Sequence, residues 1–233
     1  MQEAGMPLLL HGEISMESDG KTVVDIYDRE KRFLDEVVGE LRTKYPKLKL
    51  SLEHITTKEM AVFMLEYGNA ETLVCTITPH HLLFDRRDLH ADGFQPHLFC
   101  YPILKREEHR EALRFLVKTG TSYVSAGTDS APHPTHAKEK ACGCAGGVFT
   151  AHAMTQLYAQ IFDMLGATQH LESFLCINGP RFYGLASGSG VITLERKSWT
   201  MDEMIEVADG TKVRPFGYHE DPDKRFRFEW QIV

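Results

Sequence analysis

Three polar residues follow short apolar runs of the kind that forms buried strands. His11 and His54 each end such a run, and Asp129 comes three residues after another, Tyr123–Ala126. Barrels of alternating strands and helices place their chemistry at the carboxyl ends of the strands. Two imidazoles with one carboxylate suit zinc or a similar divalent ion. We therefore predict that His11, His54 and Asp129 are metal ligands at one end of a parallel sheet.

Asp129 has a second predicted role. A divalent ion lowers the pKa of a bound water to about 7 and polarises a carbonyl group. Asp129 could take a proton from that water and pass it to a leaving nitrogen, which makes it the candidate general base. Two simpler interpretations stay open. Asp129 could cap the next turn or helix, and each histidine could be an ordinary core or loop residue.

The segment after Asp129 offers groups for an anionic substrate. His133 could donate a hydrogen bond to a substrate carboxylate. The loop Cys142–Gly147 is rich in glycine, and free backbone N–H groups in such a loop bind anions well. The alternative for this loop is a plain tight turn. His80 and His81 follow a proline and are predicted to lie in a loop.

The elements that must position these residues alternate between strand and helix. Four main strands are predicted at about residues 7–11, 48–54, 73–78 and 123–127, separated by helical patterns. Repeated strand–helix units predict a parallel sheet with helices outside it. A complete eight-stranded barrel needs about 250 residues. The predicted fold class is therefore α/β, a TIM-type barrel represented here by its carboxyl-terminal half, about strands five to eight.

The remaining pattern completes this assignment. Helices are predicted over 27–41, 57–67, 105–118, 149–165 and 171–177, with a long loop over 80–102 and a turn over 178–184. The tail alternates in the manner of strands at Val191–Glu195 and Lys224–Val233. We predict a partial barrel over residues 1–190 and a carboxyl-terminal extension over residues 191–233 that packs on the barrel.

Composition excludes several classes of protein. A net charge of −7 argues against a general nucleic-acid binder. No apolar run approaches the roughly 20 residues of a membrane helix, so no membrane partner is expected. Five cysteines without a regular framework suit a reducing compartment, and we expect a cytoplasmic protein.

Seven segments, in order along the chain, resemble one enzyme family. They are MPLLLHGE at 6–13, LEHITT at 52–57, ITPHHL at 77–82, PHLFCYPILK at 96–105, GTDSAPH at 127–133, CGCAG at 142–146 and NGPRFYG at 178–184. Together they resemble dihydroorotases of the monofunctional bacterial type, within the amidohydrolase superfamily. The resemblance covers nearly the whole chain and is weakest after about residue 190.

The resemblance implies a function and a set of roles. The family interconverts N-carbamoyl-L-aspartate and dihydroorotate in pyrimidine synthesis. Its members have a TIM-type barrel with two zinc ions, and the resemblance also implies a homodimer. His11 and His54 match the zinc ligands on the fifth and sixth strands. Asp129 matches the ligand and general base on the eighth. His133 and the backbone groups of Ala145 and Tyr101 match the groups that hold the substrate.

The chain also departs from the family pattern. No two of its histidines lie two residues apart, so the His-x-His pair of the first strand has no counterpart. The bridging lysine of the fourth strand is missing too, since the first lysine is Lys21. We therefore expect a dihydroorotase truncated at its amino end, inactive alone and a weak zinc binder. The alternative is a non-catalytic truncated homologue that acts as a binding partner of an intact subunit.

Overall fold

The central sheet has four parallel strands whose spatial order follows their order along the chain. A computed structural model describes all 233 residues. The strands are β1 Leu8–His11, β2 Leu50–Glu53, β3 Leu73–Ile77 and β4 Val124–Ala126. Leu50 pairs with Leu8 on one side and with Leu73 on the other. All four carboxyl ends therefore lie at one edge of the sheet.

Helices connect and cover these strands. Helix α1 Arg29–Phe33 continues through a π-helical turn, Leu34–Val38, into α2 Gly39–Lys44. The other helices are α3 Lys58–Tyr67, α4 Pro79–Leu83, α5 Glu107–Lys118, α6 Thr135–Lys138, α7 Met154–Met164 and α8 Asn178–Tyr183, the last preceded by a π-helical segment, Ser173–Ile177. Short 3₁₀ turns lie at Asp88–His90, Pro96–Leu98, Ala151–Ala153, Thr168–His170 and Pro222–Lys224.

One core joins the sheet to its helices. Leu52 of β2 and Ile77 of β3 are fully buried, together with Met64, Leu116 and Phe162 from three helices. Burying one such side chain contributes about 1.5–3 kcal/mol. This core fixes the strands, and with them the residues at their carboxyl ends. The predicted α/β architecture of four parallel strands with outer helices is confirmed.

The tail forms two small antiparallel pairs. Strand β5 Leu194–Thr200 pairs with β8 Arg227–Ile232, and β6 Ile205–Glu206 pairs with β7 Lys212–Val213. Phe228 is fully buried in a second core that also contains Leu157 of α7. The tail therefore packs on the rest of the chain, and the division at residue 190 stays a prediction.

Three local predictions were wrong. His80 and His81 lie in helix α4, because Pro79 suits a first helical position and the Thr78 hydroxyl accepts a hydrogen bond from the His81 N–H at 3.1 Å. Residues 178–183 form helix α8 because Pro180 lies in its first turn, where a missing N–H is tolerated. The strand expected at 191–195 begins at Leu194, and Val191 is exposed.

The length and composition of the helices decide whether any of them could cross a membrane. The longest uninterrupted α-helix, α5, has 12 residues, and the continuous run through α1, the π-helical turn and α2 has 16. None is long and apolar enough to cross a membrane.

Candidate metal and substrate site

His11 and His54 meet at the carboxyl edge of the sheet. The Nδ1 atom of His11 lies 3.3 Å from the Nε2 atom of His54, and the ring centroids are 4.9 Å apart. Two nitrogen ligands of a tetrahedral zinc ion, each about 2.0–2.1 Å from it, are separated by about 3.3 Å. The two imidazoles therefore have the spacing of ligands that share one ion.

Glu13 orients the His11 ring from the other side. Its carboxylate lies 3.0 Å from the Nε2 atom of His11, and this hydrogen bond raises the pKa of His11. With Nε2 held by Glu13, the Nδ1 atom is the one left to face His54. Carboxylates that hold the far nitrogen of a metal-binding histidine are common at zinc sites.

The backbone around His54 is held in an unusual conformation. Its φ is +43°, in the left-handed region, and its N–H donates to the Thr76 hydroxyl at 2.7 Å. The N–H of Ile55 donates to the Thr76 carbonyl at 3.0 Å. The N–H groups of Thr56 and Thr57 donate to the buried Glu30 carboxylate at 2.8–3.0 Å. Glu30 and Thr76 therefore fix the turn that carries His54.

His54 is mostly buried and has a free nitrogen. Burial lowers the pKa of His54, while the charge of Asp129 opposes the shift, so the ring is neutral near pH 7. Its Nδ1 atom is buried and has no hydrogen-bond partner. A neutral imidazole is the form that binds metals.

Asp129, three residues after β4, lies near enough to His54 and His11 for their charges to affect one another. Burial raises the pKa of Asp129, and the nearby His54 and His11 oppose that shift. Its φ of +42° makes it, with His54 and Asp92, one of three non-glycine residues in the left-handed region. Such backbone costs about 1–3 kcal/mol and concentrates at functional sites. Two of the three strained residues are thus predicted metal ligands.

The three predicted substrate groups form one cluster beside this edge. His133 Nε2 donates to the carbonyl of Gly146 at 2.9 Å. Gly146 packs against Tyr101, since an added Cβ would lie 2.5 Å from the Tyr101 ring. The N–H of Ala145 donates to Ala137 O at 3.1 Å, so this group is engaged within the protein. The backbone of Tyr101 makes no such hydrogen bond.

A buried histidine cluster was missed by the sequence analysis. One ligand atom from each of His80, His81 and Cys100 lies within 4.8 Å of the others. Both nitrogens of His81 have partners, the Thr78 hydroxyl at 2.7 Å and Pro102 O at 2.9 Å. Both nitrogens of His80 are buried without one. The Thr-Pro start of a helix was the only sequence signal that the pair is not in a loop.

Comparisons with known proteins find similar sequences among dihydroorotases. The chain is 48% identical over 216 residues to the dihydroorotase of Yersinia pestis (strain Pestoides F), a match that covers 93% of this chain and 60% of that protein. It is 49% identical over the same length to the dihydroorotase of Serratia proteamaculans (strain 568). No family model matches the chain.

Solved structures give the same result. The dihydroorotase of Campylobacter jejuni superposes with a TM-score of 0.83 at 34% identity, covering all of this chain and 63% of that one. The dihydroorotase of Saccharomyces cerevisiae in complex with 5-fluoroorotic acid gives 0.85 at 25% identity, with 64% of that chain covered. The resemblance stated from the sequence is confirmed: the chain is similar to dihydroorotases and spans about three fifths of the length of its curated relatives.

Proposed function

We propose that this chain carries the metal-binding and substrate-binding part of a dihydroorotase, which cyclises N-carbamoyl-L-aspartate reversibly to dihydroorotate. One observation supports this most: the ring nitrogens of His11 and His54, 3.3 Å apart at neighbouring strand ends, in a chain 48% identical to a dihydroorotase. We find no observation that favours the alternative, a non-catalytic partner of an intact subunit.

The residues present fit zinc. His54 offers a neutral imidazole whose Nε2 atom faces Nδ1 of His11. His11 would bind through Nδ1 while Glu13 holds Nε2, and Asp129 would complete the set from the last strand. When bound, zinc would polarise the ring carbonyl and activate a water.

Asp129 is proposed to move the proton. Its pKa is raised by burial, which brings the carboxyl closer to the range in which a general base both accepts and releases a proton. It would accept the proton of the attacking water and deliver it to the ring nitrogen as dihydroorotate opens. In the cyclising direction the same carboxylate would take the proton from the nitrogen of N-carbamoyl-L-aspartate.

His133, Tyr101 and Ala145 are proposed to hold the substrate. The Nε2 atom of His133 is occupied by Gly146 O, so Nδ1 or a change of partner must serve a substrate carboxylate. Tyr101 offers free backbone groups. Ala145 could donate its N–H to the substrate only by releasing Ala137 O.

Further properties of the family stay predictions for this chain. They are the two zinc ions, the homodimer, the cytoplasmic location, and the absence of nucleic-acid and membrane partners. The activity of the complete relatives is likewise a proposal here, because the chain spans about three fifths of their length.

The test uses 5-fluoroorotic acid, the ligand in the Saccharomyces cerevisiae dihydroorotase structure. We expect the chain with added zinc to bind it, and His133→Ala to weaken binding at least tenfold. His136→Ala changes an exposed histidine three residues away and is expected to leave binding unchanged. Calorimetry measures the binding of 5-fluoroorotic acid by the wild-type chain and by the two variants. A separate assay measures the ring opening of dihydroorotate. No binding by the zinc-treated chain, or an equal effect of the two variants, would contradict the proposal.

A further inference from the structure

Lys138, at the end of helix α6, is a buried cation without an acidic partner. Its side chain is 3% exposed, and no carboxylate lies within ion-pair distance of its Nζ atom. Lysine is seldom fully buried unless it is paired, since an unpaired charge loses its hydration. Three backbone oxygens replace the water here.

The ammonium group uses all three of its donors on these oxygens. Nζ donates to the carbonyls of Phe99 at 2.9 Å, Ala145 at 2.8 Å and Gly147 at 2.7 Å. An ammonium has three N–H donors and no acceptor, so its hydrogen-bonding capacity is complete. The three carbonyls belong to two segments that are more than 40 residues apart in the sequence.

These two segments carry the proposed substrate groups. Phe99 lies two residues before Tyr101, and its carbonyl also accepts the Gly147 N–H at 2.8 Å. Gly146, between the two other carbonyls, accepts from His133 and packs against the Tyr101 ring. The contacts of Lys138 therefore surround the cluster of Tyr101, His133 and Ala145.

We propose that Lys138 is the positioning residue of this substrate subsite. Its ammonium sets the spacing between the segment of Tyr101 and the loop of Ala145, and through Gly146 it sets the direction of His133. Lys138 does not touch the substrate in this assignment. We call the three hydrogen bonds from Lys138 to the carbonyls of Phe99, Ala145 and Gly147 the clamp. The clamp rests on geometry, and its link to substrate rests on the proposed function.

The residue type fits the task. Methionine has similar length and bulk but no donor, so each of the three carbonyls would lose one hydrogen bond, and Phe99 O would keep only the bond from the Gly147 N–H. Arginine keeps the charge, but its planar fork is longer and cannot reproduce three donors on one nitrogen. We therefore expect the order lysine, arginine, methionine in how well the two segments are held together.

Amide hydrogen exchange of the whole chain tests the clamp. In Lys138→Met we expect the amides of Ala145 and Gly147 to exchange at least tenfold faster, while the sheet amides of Leu50 and Cys75 keep their rates. Lys140→Met, an exposed lysine two residues on, is the matched control and should change neither set. Lys138→Arg should show the same pattern at smaller amplitude, and it serves if Lys138→Met does not fold. Unchanged loop exchange, or faster exchange in loops and sheet alike, would overturn the clamp.

Binding of 5-fluoroorotic acid tests the link to substrate. Lys138→Met is expected to raise the dissociation constant at least tenfold and Lys140→Met to leave it unchanged. Equal affinities for Lys138→Met and the wild-type chain, with faster loop exchange, would overturn the positioning role. A wild-type chain with the expected loop protection but no ligand binding would overturn the proposed function and the assignment to substrate, while the exchange result still decides the clamp.

Discussion

The Nδ1 atom of His11 and the Nε2 atom of His54 lie 3.3 Å apart, although 43 residues separate them in the sequence. The parallel pairing of β1 with β2 produces this contact, since Leu8 pairs with Leu50 and His11 with Glu53. His54, one residue beyond the pair, turns back toward His11 through its left-handed φ of +43°. The contact therefore depends on strand register and on one strained residue.

Removing either imidazole should weaken zinc binding. Changes to residues that only support a metal ligand typically cost 10–100-fold in affinity, so loss of a ligand itself should cost at least tenfold. We expect His11→Ala and His54→Ala each to have this effect in a competition titration with a zinc-sensitive dye. His90→Ala changes an exposed histidine in a 3₁₀ turn and should have none. If His11→Ala, His54→Ala and His90→Ala all bind zinc with the affinity of the wild-type chain, a zinc site at His11 and His54 is excluded.

Asp129→Asn should abolish turnover without unfolding the chain. Asparagine adopts the left-handed region as readily as aspartate, so the φ of +42° is tolerated, but its amide cannot carry the proton. We expect turnover of dihydroorotate to fall by about 10²–10⁴ in any preparation of this sequence that is active. Asp92→Asn, at the exposed left-handed residue outside the site, is the control. Near wild-type turnover by Asp129→Asn would remove this carboxylate from the mechanism.

Glu30→Gln should destabilise the turn that carries His54. The carboxylate accepts hydrogen bonds from the N–H and hydroxyl groups of Thr56 and Thr57. In glutamine an NH₂ group replaces one carboxylate oxygen, so it would face N–H or O–H groups that need an acceptor. Leaving buried partners unsatisfied costs about 1–3 kcal/mol, so we expect a loss of about 2–3 kcal/mol in the free energy of unfolding. Urea titration measures it. Glu40→Gln, which removes an exposed ion pair with Lys44, should change almost nothing. Similar losses in the free energy of unfolding in both variants would mean that the hydrogen bonds of buried Glu30 do not stabilise the chain more than an exposed ion pair does.

The strand ends could be predicted from the sequence because short apolar runs alternate there with helical patterns. The runs before His11, His54 and Asp129 are local signals, and parallel pairing then brings their ends to one edge. The contacts that hold the site are not local. Glu30 reaches Thr56 across 26 residues, and Lys138 reaches Phe99 across 39. Nothing in the residue types alone indicates which buried acid or lysine faces which backbone group.

His80 should make the chain sensitive to acid. Burial lowers the pKa of His80 to about 3, whereas an imidazole in an unfolded chain titrates near 6.5. Between these values the unfolded chain binds a proton that the folded chain does not, so stability falls as the pH falls, by about 1.4 kcal/mol per pH unit for this group.

The variant His80→Leu should reduce that sensitivity. From pH 7 to pH 5 it should lose about 2 kcal/mol less in the free energy of unfolding than the wild-type chain does. Denaturant titrations at the two pH values give the comparison, with His90→Leu as the exposed control. An unchanged pH dependence in His80→Leu would show that the His80 ring is protonated or hydrated in the folded chain.

The free edge of β1 should make the 233-residue chain self-associate. β1 is the first strand in the order of the sheet, so one of its edges has no neighbouring strand. Leu9 in this strand is 49% exposed and Met6 beside it 57%. Unpaired edges with apolar side chains favour pairing with other chains, and we expect a mean mass in sedimentation that rises with concentration. Leu9→Lys should shift the chain toward monomer, since a charge on an edge strand opposes pairing. Val62→Lys, at an equally exposed position on α3, should not. A monomer at all concentrations, or equal effects of the two substitutions, would show that this edge does not drive association.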